Sequence, residues 1–180
     1  MTDQAAEVVS FWQNAGKESW YKKDTAFDDE IRRRFLSLHE AAAKGALDDW
    51  MGSAQGALAL MILLDQFPRN MFRGQARMFA TDEQARTLAA AAIERGFDAQ
   101  VDPIMRSFFY LPYMHSEDLA DQERCIKLYA AAGDADGLKW ADLHADIVRK
   151  FDRFPHRNTV LGRSTTPEEQ AFLDAGGFAG

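Results

Sequence analysis

A single cysteine, Cys125, stands in 180 residues, so no disulfide can form within the chain. That usage fits a reducing compartment, and the expected location is the cytoplasm. Basic residues are outnumbered, 21 Lys and Arg against 28 Asp and Glu, for a net charge of −7. The longest basic block is Arg32-Arg33-Arg34, on a predicted helix just after Asp28-Asp29-Glu30, and reads as a solvated, self-paired face. Without a basic stripe to neutralise phosphates, nucleic acid is not an expected partner. The longest apolar run, Ala57 to Leu64, falls far short of the ~20 residues a membrane helix needs, and no membrane association is expected. The N-terminal stretch has no basic region followed by an apolar core, so no signal peptide is expected either. Gly-rich phosphate loops, dinucleotide fingerprints and Gly-x-Ser-x-Gly elbows are missing, which excludes kinase, nucleotide-dependent dehydrogenase and α/β-hydrolase readings. No His-x-x-x-His or Glu-x-x-His pair falls on a helix face, and one cysteine cannot build a thiolate site, so neither metal nor cofactor is expected. Asp134-Ala135-Asp136-Gly137 resembles the start of a calcium loop but lacks the later oxygen ligands, and a helix cap explains it better.

What is present is a core. Hydrophobic residues make up 47% of the chain, with 13 Phe and 4 Trp, and a chain of this length can form one domain over 1–180. Apolar residues recur at helical spacing, and the 5 Pro and 12 Gly fall mainly at helix boundaries. One helix begins at Thr2 or Asp3 and ends at Gly16. A second carries Ile31, Phe35, Leu38 and Ala42 and closes at Lys44-Gly45. A third, from about Ser53 to Gln66, is apolar nearly all round. Thr81-Asp82-Glu83-Gln84 matches a capping box, Asp102-Pro103 opens a helix through Met105, Phe108 and Phe109, and Ser116 caps the next. That helix turns Leu119, Ile126, Tyr129 and Ala130 inward. Asp134 or Asp136 starts a helix with Trp140, His144, Ile147, Val148 and Phe151 on one stripe, and Thr166-Pro167-Glu168-Glu169 begins the last, with 175–180 as a loose tail. No stretch alternates in the manner of a strand. The fold class is all-α, a bundle or helix-pair superhelix of about seven to nine helices, without the regular repeat of about 34 residues that marks a plain tetratricopeptide array.

Two stretches break the apolar pattern in the same way. Leu60 to Gly74 carries Asp65-Gln66-Phe67-Pro68-Arg69-Asn70, and most of it returns as Asp152-Arg153-Phe154-Pro155-His156-Arg157-Asn158. A proline after an apolar helix predicts a break, with Phe67 pushed out of helical geometry. Asp65 then sits at a helix C-terminus beside a packed core, where a carboxylate needs a cationic or hydrogen-bonding partner.

The motifs Leu63-Leu64-Asp65-Gln66-Phe67-Pro68-Arg69-Asn70, Tyr110-Leu111-Pro112, Met114-His115-Ser116-Glu117-Asp118-Leu119 and Arg153-Phe154-Pro155-His156-Arg157-Asn158 together resemble the bacterial family catalogued as domain of unknown function 924. The resemblance runs over essentially the whole chain. It implies a tetratricopeptide-like all-α fold and brings no activity with it.

The candidate site therefore rests on the residues themselves. Asp65, Arg69, Asn70, Arg157 and Asn158, with His115 and Glu117, are expected to form a pocket for a small polar or anionic molecule or a peptide end. Arginine offers a planar fork that matches carboxylate or phosphate, and Asn adds a donor and an acceptor. Asp65 and Asp152 would orient the two guanidiniums. The competing reading makes each Asp–Arg pair an architectural tie at a helix end. If the protein is an enzyme, His115 is the acid/base and Glu117 orients it, for cofactor-independent hydrolysis or elimination. A scaffold that binds a protein partner is the third reading. His144 reads as a core histidine, and His39 carries no signal.

Overall fold

The computed structural model describes residues 3–178, and every regular element among them is helical. The α-helices are α1 (Asp3–Trp20), α2 (Thr25–Ala43), α3 (Ala54–Met61), α4 (Phe67–Met71), α5 (Asp82–Glu94), α6 (Leu111–Met114), α7 (Leu119–Ala132), α8 (Ala135–Phe151) and α9 (Pro167–Asp174). None is long and apolar enough to cross a membrane. The contacts divide the chain into two compact units. Unit 1 holds residues up to Arg73 together with Arg77–Pro112, and unit 2 holds Gly74–Ala76 with the residues from Tyr113 onward.

In unit 1, α3 packs against α1 and α5, and α4 packs against α2. The two ends of α2 follow from its sequence. The Asp24 side chain accepts from the N–H groups of Ala26 and Phe27 at the start, and Gly45 at φ 76 turns the chain at the end, a conformation that costs glycine nothing. α1 does not stop at Gly16 as expected. Its backbone leaves helical geometry there (φ 72, ψ 170) and then resumes to Trp20, whose indole N–H bonds Trp12 O at 2.6 Å. The alternative cap, Thr2, lies outside the described residues. Phe35 and Phe67 stack at 4.9 Å, and Trp12 meets Phe67 and Phe108 edge-on at 5.6 and 6.0 Å. The residues from Leu58 to Leu64 are completely buried, as their unbroken apolarity requires.

The break expected at Phe67-Pro68 does not occur. Phe67 is helical (φ −58, ψ −36), and the chain passes through Pro68 by a π-turn over Ile62–Gln66. The Phe67 N–H reaches five residues back to Ile62 O, which shifts the hydrogen-bond register just before the residue that has no N–H to give. Carbonyls in this segment find donors elsewhere. His39 Nδ1 bonds Leu63 O at 2.9 Å, and Thr81 Oγ1 donates to Leu64 O at 2.6 Å. Because a carbonyl only accepts, His39 must carry its proton on Nδ1, and burial holds the ring's pKa below its ordinary value. His39 thus carries a structural role that its place beside the core face did not announce. The Thr81 capping box also fails: the hydroxyl is committed to Leu64 O and makes no cap bond to α5. Residues 102–109 form turns and a short 3-10 helix (Arg106–Phe109) in place of the expected α-helix.

In unit 2, α7 and α8 pack as a hairpin, and α9 packs on the 3-10 turn Pro155–Arg157. Asp118, not Ser116, caps α7. The Ser116 hydroxyl instead accepts from the Asp118 N–H and donates to Asp121. The inner face of α7 is Gln122, Cys125 and Tyr129, whereas Leu119 and Ala130 are exposed. Trp140 is half exposed and drops out of the α8 stripe, whose buried members include His144, Ile147 and Val148. Asp134 caps α8, and Thr166 with Glu169 completes the capping box expected for α9. Within the expected tail, Phe178 packs onto His144 and His156.

Candidate functional site

The sequence-marked residues fall into both units: Asp65, Arg69 and Asn70 in unit 1, and His115, Glu117, Arg157 and Asn158 in unit 2.

The first corner is closed on itself. The π-turn carries Asp65, with no exposed surface, to one turn before Arg69, and the two meet at 3.3 Å. Arg69 then makes two parallel 3.0 Å bonds to the carboxylate of Asp82, in the first turn of α5 where the helix dipole favours an acid. Its Nη1 also donates to Asp65 O at 2.5 Å, and the Gln66 amide donates to the Asp65 carboxylate. Burial works against the guanidinium charge, but Asp65 and Asp82 outweigh it and raise the pKa of Arg69. Asn70 gives its amide to Asp28 at 2.7 Å, and Arg73 grips the same carboxylate at 2.8 and 3.0 Å. The partner expected for Asp65 is therefore present. Asp82, Asp28 and Arg73 complete the network, and no local pattern in the sequence joins them to it.

The second corner is built differently. Asp152 does not orient Arg157: it is exposed and ends α8 in the left-handed conformation (φ 55). The counterpart of the Arg69–Asp82 clamp is Arg153–Glu169, at 2.6 and 2.8 Å, again to the first turn of the following helix. Arg153, the cap N–H of Thr166 and Asn158 Nδ2 (3.1 Å) all converge on Glu169 and hold its carboxyl down at about 2. Glu117 does not orient His115. Its oxygens take Arg163 at 2.6 and 2.9 Å and the Phe154 N–H at 2.8 Å. Burial would raise the Glu117 pKa, but Arg163, the Phe154 N–H and the charge of Arg157 lower it.

Histidines gather around the same corner. His144 and His156 lie 5.6 and 5.7 Å from Phe154, and the Arg157 guanidinium sits over that ring at 4.5 Å. His144 Nδ1 donates to Trp140 O at 2.8 Å, which fixes its tautomer. Burial pushes His144 and His156 each down to about 4, and the positive charge of Arg157 adds to both shifts. His115 is half-buried in the same unit, near enough to contribute to the His144 shift.

The two corners differ in how fully their polar atoms are used. Three buried atoms of the second have no hydrogen-bond partner among the described residues: His156 Nδ1, Asn158 Oδ1 and Arg163 Nε. Asp65, Gln66, Arg69 and Asn70 contribute no such atom. A separate open cleft of about 360 Å³ is lined by Glu7, Phe11, Asn14, Phe27 and Arg34 of unit 1. It contains none of the sequence-marked residues, and Arg34 already pairs with Glu7 at 2.8 Å.

A family model described as a bacterial protein of unknown function, domain of unknown function 924, matches residues 8–177. A solved structure of a protein of unknown function from Agrobacterium tumefaciens is similar at 50% sequence identity and a TM-score of 0.93, covering 96% of this chain and 97% of that one. No curated protein matches the chain.

Proposed function

The chain belongs to the bacterial domain of unknown function 924 family, and from that premise we propose that it binds a small anionic molecule at its second corner. The receiving groups are His156, Arg157, Asn158 and Arg163, with His115 beside them. One observation carries this reading: three buried polar atoms lacking a partner fall within eight residues, His156 to Arg163. A buried donor or acceptor left unmade costs about 1–3 kcal/mol. An anion can accept from Arg163 Nε and from His156 in its Nδ1–H tautomer, whereas Asn158 Oδ1 only accepts and takes an O–H or N–H of the ligand. Arg157 brings a positive charge to the corner, and Arg163, whose two Nη atoms are paired with Glu117, still has its Nε to offer. The first corner takes the architectural role, since Arg69 and Asn70 are spent on Asp82 and Asp28. Acid–base catalysis by His115 has less support, because Glu117 is committed to Arg163 and Phe154.

The test is an NMR titration of the imidazole resonances with inorganic phosphate and with acetate. The expected result is a saturable movement of the His156 signal at millimolar anion, lost in Arg157→Gln. An imidazole spectrum unchanged by either anion would overturn the proposal.

A further inference from the structure

Phe178 closes the second corner. Its ring meets the imidazole of His144 at 4.6 Å and 63°, and that of His156 at 5.3 Å and 81°. Both rings in turn flank Phe154, which carries the Arg157 guanidinium on its face. The segment that delivers Phe178 is held lightly. Gly176 turns the chain at φ 79, Gly177 N–H bonds Phe172 O at 3.0 Å, and beyond that bond the backbone of Phe178 makes none among the described residues. A bulkier residue does not fit at Gly177, where a Cβ would stand 2.6 Å from the Phe172 ring. The ring is thus the anchor of its own segment, seated edge-to-face on two imidazoles and packed against the cluster of Ile147, Val148 and Phe154.

We infer that the seat bounded by His144, Phe154 and His156 is the aromatic half of the proposed anion site, that Phe178 occupies it in cis, and that the ligand is an aromatic carboxylate. The inference rests on the reading above. The ligand's ring takes the place of Phe178, and its carboxylate meets the donors around Arg157 and Arg163. The stretch between α8 and α9 supplies Phe154 and His156 to the ring seat and Arg157 and Arg163 to the donors, and α8 adds His144 to the seat.

Calorimetric titration with 3-phenylpropionate, using propionate as the ringless control, tests it on the wild type, Phe178→Ala and Phe178→Leu. An internal occupant reduces apparent affinity by the fraction of molecules whose seat is free, so Phe178→Ala should bind 3-phenylpropionate about tenfold tighter than the wild type. Propionate affinity should change less than about twofold, since it needs no ring seat. Phe178→Leu keeps apolar cover and should fall between. Equal gains for both probes, or no gain for 3-phenylpropionate, would overturn the aromatic assignment, and phosphate shifts at His156 would then leave the anion site standing. Silence from phosphate, propionate and 3-phenylpropionate alike would remove both.

Discussion

Arg69→Met is the substitution that separates a helix-end tie from a ligand site. It keeps the length and apolar stem of the side chain but removes the guanidinium that faces Asp65 at 3.3 Å and Asp82 at 3.0 Å. Asp65 has no exposed surface, so it cannot recover water in exchange. The Gln66 amide still donates to that carboxylate but carries no charge to balance it. Removing one partner from a buried pair costs about 3–5 kcal/mol, chiefly through the charge left behind. For a domain of this size each kcal/mol shifts the midpoint by about 2–4 °C, so the expected loss is roughly 6–20 °C. Asp65→Asn in the Arg69→Met background removes the stranded charge, and part of the loss should return, by about 0.5–3 kcal/mol of coupling. Urea unfolding of the wild type, both single variants and the double variant gives the cycle directly. Stability within about 1 kcal/mol of the wild type for Arg69→Met, with no rescue, would refute the architectural reading of the first corner.

Thr81→Val replaces a hydroxyl by a methyl of similar shape and leaves Leu64 O without its donor, so a loss of about 1–3 kcal/mol in chemical denaturation is expected. Gly56→Ala would place a Cβ 2.1 Å from the Trp50 carbonyl, and because backbone cannot yield as a side chain does, a loss at or above the usual ~1–3 kcal/mol of overpacking is expected by calorimetry. Stability should also fall with acid. His144 and His156 titrate at about 4 when folded against an ordinary 6.5, so the unfolded chain binds more protons between those values. Their contribution is fully present above pH 6.5 and is lost as pH falls toward 4, by up to about 1.4 kcal/mol per pH unit for each histidine. Glu169, held at about 2 against an ordinary 4.5, carries the same sign in the next window down. A thermal midpoint that stays level from pH 7 to pH 5 would contradict the buried, neutral imidazoles.

Some local signals are met: Asp134, one of the two caps offered for α8, the Thr-Pro-Glu-Glu start of α9 and the buried run from Leu58 to Leu64 each depend on residues within one turn or on one composition rule. Others fail because the side chain finds a different bond, as at Thr81 and Ser116. The π-turn is invisible to such rules, since proline forces a break only if the carbonyls it disturbs find no other donors. Two that serve the segment come from His39 and Thr81, 24 and 17 residues away. The same distance in sequence hides the partners of the candidate site. Asp65, Arg69, Asn70 and Glu117 stand out as polar groups at helix ends, but Asp82, Asp28 and Arg163, which satisfy them, are 13, 42 and 46 residues from the groups they bind. The choice of Asp152 as a partner for Arg157 follows from the repeated motif. The inserted residue breaks that analogy, and Arg153 makes the clamp instead. Phe178 lies in a glycine-rich stretch, where composition predicts a loose tail, yet an aromatic ring finds a seat there.

The most direct measurement is a crystal structure of the protein soaked in phosphate, read at His156 Nδ1, Asn158 Oδ1 and Arg163 Nε. The expected result is a phosphate within hydrogen-bond distance of at least His156 and Arg163, with its charge facing Arg157. Well-ordered crystals in which those atoms meet only water, or in which the side chains close on one another at saturating phosphate, would contradict it.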